Sequence, residues 1–237
     1  MGFIEDLRFR EFGARCVYFD RFGGVSPPPF DSLNVSTTVG DKRENVWKNL
    51  EIVRETVKAD EIALLNQVHS NTIVEYDDKI HDADGIFTDR TGVFLAIKFA
   101  DCTPIMFLDR KNGFIGAAHA GWRGTHLKIS VKMVEFFIEK GSKPEDIIVS
   151  IGPHICGNCY EIKDDVAEKF DGRFIKKSNG RLYLNLSEAN INQLINSGIP
   201  KGNIKNLSMC TFEDKRFFSY RRDKTCGRNI GGVMLIS

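Results

Sequence analysis

The sequence predicts an α+β protein with antiparallel or mixed β-sheets and helices packed outside them. Three observations carry this reading. Apolar runs of strand length outnumber helical periodicities. Several neighbouring runs are joined by short turns, which suits antiparallel pairing. The clearest helical pattern has one apolar stripe, as a helix covering a sheet does. No internal repeat, low-complexity tract or linker divides the chain, so residues 1–237 are expected to form a single domain.

Taken in order, Cys16-Val17-Tyr18-Phe19-Asp20 reads as a strand, and Pro27-Pro28-Pro29 forces an extended loop after it. Asp41 followed by Glu44 reads as a capping box opening a helix. Val46, Leu50, Val53 and Val57 mark its buried face. Ile62 to Val68 and Thr72 to Tyr76 read as strands around a turn at Ser70-Asn71, and Asp77 to Asp84 as a polar loop. Val93 to Ala100 reads as a buried strand. Pro104 is expected to interrupt the chain before Ile105 to Leu108, and Arg110-Lys111-Asn112-Gly113 turns into Phe114 to Ala118.

Beyond Thr125, Leu127, Val131, Val134 and Ile138 mark a helix ending at Gly141. Ile147 to Ile151 is a strand and Asp164 to Phe170 a short helix. Leu182 to Leu186 is a strand, followed by a helix capped by Ser187 and ending at Gly198. Ile204 to Met209, Phe217 to Tyr220 and Val233 to Ile236 read as the final strands.

Composition excludes several function classes. A formal net charge of +1 gives no electrostatic case for nucleic acid or an acidic membrane. No apolar run approaches the roughly 20 residues of a membrane span. The N-terminal stretch from Met1 carries acids early and has no signal-peptide core, so a cytoplasmic protein is expected. The six cysteines are then expected to be free, metal-bound or catalytic.

The chemistry concentrates around Ala117-Ala118-His119-Ala120-Gly121-Trp122-Arg123-Gly124. A histidine ends an apolar run there, on a turn built from small residues that let a ligand approach the backbone. A plain strand-to-helix turn with a capping histidine fits the same residues. His69 and Cys102 occupy similar settings, each at a strand end. Strand ends share one rim of a sheet, so the three can meet. Two imidazoles and a thiolate suit zinc and leave a fourth position for water or substrate.

Asn66-Gln67-Val68-His69-Ser70, Ala100-Asp101-Cys102-Thr103-Pro104 and His119-Ala120-Gly121-Trp122-Arg123-Gly124 stand in the order seen in the YfiH-like family. That family carries a laccase-domain or polyphenol oxidase label and is also known as purine nucleoside phosphorylases. Gly23-Gly24-Val25-Ser26, Val39-Gly40-Asp41, Ile151-Gly152-Pro153, Cys210-Thr211 and Phe218-Ser219-Tyr220-Arg221-Arg222-Asp223 extend the resemblance along the chain. It implies a four-layer α/β/β/α fold with mixed sheets, similar to the cytotoxic necrotizing factor catalytic domain. It implies zinc on His69, Cys102 and His119; copper is expected only as a substitute ion in vitro. It also implies phosphorolysis of adenosine, inosine, guanosine and methylthioadenosine, with deamination of adenosine. Purine nucleosides and inorganic phosphate are the expected partners, and a monomer the expected state.

Both reactions are compatible with one site. Zinc lowers the pKa of water, which makes hydroxide available near neutral pH for attack on C6 of adenine. Asp101, beside Cys102, is the nearest candidate to move the proton, although a turn-capping aspartate fits it equally. Phosphate needs a cationic clamp, for which Arg43, Arg123, Arg221, Arg222 and Arg228 are candidates. Arg43 leads because it lies in the first turn of a helix, a natural phosphate site, with Arg228 next. Cys156-Gly157-Asn158-Cys159 lacks the second pair that a zinc ribbon requires, so these thiols are expected to be free, and Cys210 to be a small buried residue.

Two other readings compete. Cys102 and His119 could form the nucleophile–base dyad of a cysteine hydrolase, or the three ligands could hold a metal without catalysis. A multicopper oxidase is excluded: five histidines with no His-x-His pair cannot furnish a blue-copper centre and a multinuclear cluster.

Overall fold

The computed structural model describes residues 2–236. Met1, where the N-terminal reading begins, and Ser237 lie outside the described residues. The strands are β1 (Phe3–Glu5), β2 (Ala14–Phe19), β3 (Glu61–Ala63), β4 (Ile73–Glu75), β5 (Gly85–Thr88), β6 (Val93–Phe99) and β7 (Thr103–Asp109). They continue as β8 (Ile115–Ala120), β9 (Ile147–Ile151), β10 (Glu161–Ile162), β11 (Ile175–Ser178), β12 (Arg181–Leu184), β13 (Ile204–Asn206) and β14 (Asn229–Leu235). The helices are α1 (Arg43–Val57), α2 (Trp122–His126), α3 (Ile129–Glu139), α4 (Asp164–Ala167), α5 (Leu186–Asn196) and α6 (Tyr220–Asp223). Among the described residues no helix is long and apolar enough to cross a membrane.

One sheet has the order β1-β2-β14-β6-β3, a second β13-β9-β7-β8-β5-β4, and a small antiparallel sheet β10-β12-β11. Both large sheets are mixed: β3 runs parallel to β6, β4 to β5 and β13 to β9. Side-chain alternation explains why the two large sheets stack. In β6, Val93, Leu95, Ile97 and Phe99 face the space between the sheets, where Met106, Leu108, Ile115 and Ala117 of the second sheet meet them. Phe94 and Ala96 face the other way, against Val46, Leu50, Val53 and Val57 of α1. On the second sheet Ile105, Phe107 and Ala118 turn outward to Met133, Val134 and Phe137 of α3 and Leu194 of α5. These three apolar layers give the four-layer α/β/β/α order implied by the resemblance. Each fully buried Val, Leu, Ile or Phe contributes about 1.5–3 kcal/mol.

Tyr18 bridges the layers. Its ring is fully buried, its hydroxyl donates to the Ser150 carbonyl (3.0 Å), and it leaves no room for a side chain at Gly152.

Several elements differ from the sequence reading. Helix α1 starts at Arg43, with Lys42 at its N-cap and no side-chain cap. Asp41 accepts instead from Ser26 Oγ (2.6 Å) and Asn34 Nδ2 (2.9 Å), so it anchors the proline-rich loop rather than a capping box. Asn185, not Ser187, caps α5 by accepting from the Glu188 amide. The helix expected after Thr125 begins earlier, at Trp122, and a left-handed Lys128 (φ 60°) divides it into α2 and α3. That break resets the helical phase, so Ile129, Met133, Val134 and Phe137 are buried while Leu127 and Ile138 are exposed.

Pro104 sits inside β7, second from its start, where its carbonyl accepts from the Gly152 amide (3.0 Å). Phe217 to Tyr220 form no strand. The Asn229 side chain takes the place of a partner strand, bonding both the amide and the carbonyl of Phe218, and Ser219 then caps α6. Strand β5, unforeseen, follows the polar loop directly and lies between β4 and β8.

Candidate metal centre

His69, Cys102 and His119 come together at the end of the second sheet. His119 is the buried fifth residue of β8, and Cys102 immediately precedes β7, its neighbour in the sheet. His69 stands on the loop before β4 in a left-handed backbone conformation (φ 60°). Its loop is fixed from below: the Val68 and Ser70 amides donate to Asp84 Oδ2 at 3.2 and 2.6 Å, and Ser70 Oγ does so at 2.9 Å. The two imidazole centroids are 4.9 Å apart and nearly perpendicular. One donor atom from each of the three residues lies within 4.8 Å of the others.

Asp84, read from sequence as the end of a polar loop, is the residue that orders this group. Its Oδ1 lies 2.8 Å from His119 Nδ1, and its carbonyl accepts from the His119 amide. That contact leaves Nε2 as the nitrogen free to ligate, the carboxylate–histidine arrangement of metal sites. Gly121 closes the group on another side. A Cβ there would come within 2.9 Å of Cys102 Sγ, so only glycine lets the thiol sit where it does.

Electrostatics favour an ionised thiol. Burial alone would raise the Cys102 pKa, but the charge and hydrogen bond of His119 and the hydrogen bond of His69 outweigh it and bring it down to about 6. Burial alone would lower His119. The Cys102 charge and the Asp84 bond reverse that and carry it up to about 9. A divalent cation would replace the imidazolium proton in neutralising the thiolate. The donor set, its separation and the Asp84 contact therefore fit zinc.

The group opens into a cleft of about 440 Å³, also lined by Ser36, Thr38, Lys98, Tyr220 and Arg228. That is within the volume range of small-ligand sites. Gln67 pairs with both the amide and the carbonyl of Lys98, clipping the His69 loop to β6 (2.9 and 2.8 Å). Lys98 points its ammonium at the Leu65 carbonyl, and desolvation lowers its pKa.

The other residues singled out from sequence fall in different places. Arg228 lies in the cleft, 5.8 Å from the Tyr220 ring. Arg43 is exposed at the start of α1 and does not line the cleft. Arg123 stacks on Trp122. Arg221 and Arg222 donate to backbone carbonyls of Glu161, Thr211, Phe212 and Phe217. Asp101 has a strained left-handed backbone (φ 96°), and its two carboxylate oxygens accept from Thr211 Oγ1 and the Arg221 amide, both at 2.7 Å. These are the bonds of the turn-capping alternative.

Among the described residues a second group of donor atoms lies within 4.8 Å: Cys156, Cys159, Cys210 and Glu213. The expectation of isolated thiols at Cys156 and Cys159 missed it, because a carboxylate rather than a cysteine completes the second pair. His81, His126 and His154 belong to neither group. The histidine cluster of a multicopper oxidase is therefore absent among the described residues.

Fold and site together define a four-layer α/β protein with a cysteine–histidine centre at a sheet end. A family model described as "Multi-copper polyphenol oxidoreductase laccase" matches residues 15–236, and the chain belongs to that family. It is 36% identical to the Bacillus subtilis purine nucleoside phosphorylase YlmD over 85% of this chain and 81% of that one. It is 32% identical to the Escherichia coli purine nucleoside phosphorylase YfiH over 94% and 95%. The structure of YlmD from Geobacillus stearothermophilus superposes with a TM-score of 0.90 at 34% identity, covering 95% of this chain and 93% of that one. The YfiH-like resemblance read from the motifs is borne out.

Proposed function

We propose that the chain is a zinc-dependent purine nucleoside phosphorylase with adenosine deaminase activity, acting as a single-domain monomer of residues 1–237. The observation that carries this reading is the cleft that His69, Cys102 and His119 line together with Tyr220 and Arg228. The names of the relatives supply the substrate class. His69, Cys102 and His119 would hold the ion, whose chemistry when bound is Lewis acidity and a lowered pKa for water.

In phosphorolysis a phosphate oxygen bonds to C1′ of the ribose as the C1′–N9 bond breaks. The electron pair leaves with the purine, which takes up a proton. Arg228 binds the phosphate, because its guanidinium is the cationic group of the lining not turned to the Leu65 carbonyl as the Lys98 ammonium is. Tyr220 offers a ring face to the purine. Asp101 holds the Cys102 turn through its bonds to Thr211 and Arg221. In deamination, water adds at C6 and ammonia leaves, with no anion to clamp.

The cysteine-hydrolase reading has its own observation: Cys102, His119 and Asp84 form a nucleophile, base and orienting acid, with the thiolate favoured. One assay separates them. Zinc-loaded protein should convert adenosine to adenine and ribose 1-phosphate only with phosphate, and to inosine with or without it. Metal-free protein that turns over and is stopped by alkylation of Cys102 favours the hydrolase. No turnover of any purine nucleoside by zinc-loaded protein removes the phosphorylase reading.

A further inference from the structure

We infer that Cys156, Cys159, Cys210 and Glu213 form a second zinc site, structural rather than catalytic, that staples two loops beside the first. Two turns build it. In the loop after β9, the Cys159 amide donates to the Cys156 carbonyl (3.0 Å), so residues three apart present their thiols on one side of the turn. In the loop after β13, the Asp214 amide donates to the Cys210 carbonyl (2.8 Å), and Cys210 and Glu213 repeat the same spacing. The turns face each other because the loops pair as a short parallel bridge at His154 and Cys210. There the His154 amide donates to the Met209 carbonyl and the Thr211 amide to the His154 carbonyl, both at 3.0 Å.

The donor atoms then converge. Cys159 Sγ is 3.4 Å from Glu213 Oε1, and all four lie within 4.8 Å of one another. Donors around a tetrahedral zinc with Zn–S bonds near 2.3 Å stand about 3.8 Å apart, so a small contraction completes the shell. The Cys156 amide donates to Cys210 Sγ at 3.3 Å, a bond that strengthens when that sulfur is a thiolate. Three sulfurs and a carboxylate oxygen from the protein fill four positions. That is the closed arrangement of structural zinc, in contrast to the three-donor group with its open fourth position.

Its consequence reaches the cleft. Thr211, inside the Cys210–Glu213 turn, holds Asp101, the residue before Cys102, at 2.7 Å. A metal that fixes this turn therefore fixes the strained backbone from which Cys102 projects.

The test is metal stoichiometry by elemental analysis and native mass spectrometry on reduced, zinc-grown protein. Wild type is expected to hold two zinc ions per chain, Cys159→Ser one, Cys102→Ser one and the double variant none. Cobalt(II) gives an independent reading on wild type itself: sulfur-to-cobalt charge transfer should correspond to four thiolates in two tetrahedral ions, about three quarters of it from this site. If Cys159→Ser fails to fold, that spectrum still decides, and so does Glu213→Gln, expected to release one ion to a chelator about tenfold faster than wild type. One zinc per chain that Cys102→Ser loses and Cys159→Ser keeps would overturn the site. So would a cobalt spectrum with a single thiolate. The count at this site stands whether or not the protein turns over nucleosides.

Discussion

Asp84 Oδ1 lies 2.8 Å from His119 Nδ1, while Oδ2 of the same carboxylate gathers the amides on either side of His69. One buried side chain thus sets the ring of one proposed ligand and the backbone of another. Its pKa is held low: burial would raise it, and the His119 and Ser70 bonds outweigh that. Asp84→Asn keeps the shape but loses the charge and one set of acceptors. Zinc affinity, measured by competition with a chelator, should fall about 10–100-fold. An unchanged affinity would remove Asp84 from the support of the centre.

Gly121 permits the position of Cys102. Gly121→Ala places a methyl 2.9 Å from Cys102 Sγ and 3.4 Å from His69 Cδ2, so the thiol must shift from its present place beside the histidine. The variant should fold with a loss of about 1–3 kcal/mol, the range for overpacking. It should bind less zinc than that modest loss of stability would suggest. Thermal unfolding and metal content measured on one preparation separate the two effects. Normal zinc content would show that the turn gives way instead of the thiol.

Arg228 lines the cleft and Arg43 does not. Arg228→Ala should lower kcat/KM for phosphate about 10–100-fold, the equivalent of one charge-assisted hydrogen bond. Deamination should change by less than about threefold, because it binds no second anion. Arg43→Ala, at an exposed position, should leave both rates within about threefold. Equal damage to both reactions in Arg228→Ala would make it a nucleoside-positioning residue.

Much of this fold was legible because it rests on local apolar pattern. The continuous apolar runs of β6 and β7 mark strands buried on both faces, and the stripe Val46, Leu50, Val53 and Val57 marks the buried face of α1. Cys102 and His119 were legible as strand-end residues with suitable chemistry, whereas the strand expected from Ile62 to Val68 stops at Ala63 and leaves His69 on a loop. What escaped depends on contacts distant in sequence. Asp84 reads as one more acid in a polar loop until β5 brings it under His119. Nothing in the local pattern marks Asn229, whose side-chain amide pairs with Phe218 eleven residues away. The Glu213 carboxylate completes a pair that a search for cysteines alone cannot find. The phase of α3 failed for a local reason, since one left-handed residue at Lys128 is enough to rotate the stripe.

The N-terminus offers a test of stability apart from the centre. Asp6 is fully buried and meets Arg8 Nη2 at 2.7 Å and Lys205 Nζ at 3.5 Å. Arg8 in turn donates to the carbonyls of Val149 and Asn203, so the pair ties the segment before β2 to the β9–β13 edge of the second sheet. Burial alone would raise the Asp6 pKa. Arg8, by hydrogen bond and charge, and Lys205, by charge, outweigh burial and hold it below the ordinary 3.8. A carboxyl depressed on folding contributes stability that is complete above its unfolded pKa and is lost as pH falls through the folded value. Asp6→Asn should therefore cost about 1.5–3 kcal/mol in urea unfolding at pH 7, the range for a hydrogen bond to a charged group. The gap between variant and wild type should stay level down to about pH 5 and close below about pH 4, as the wild-type carboxyl takes up its proton. A gap that widened with acid would mean that Asp6 carries a raised pKa and that burial, not Arg8, governs it.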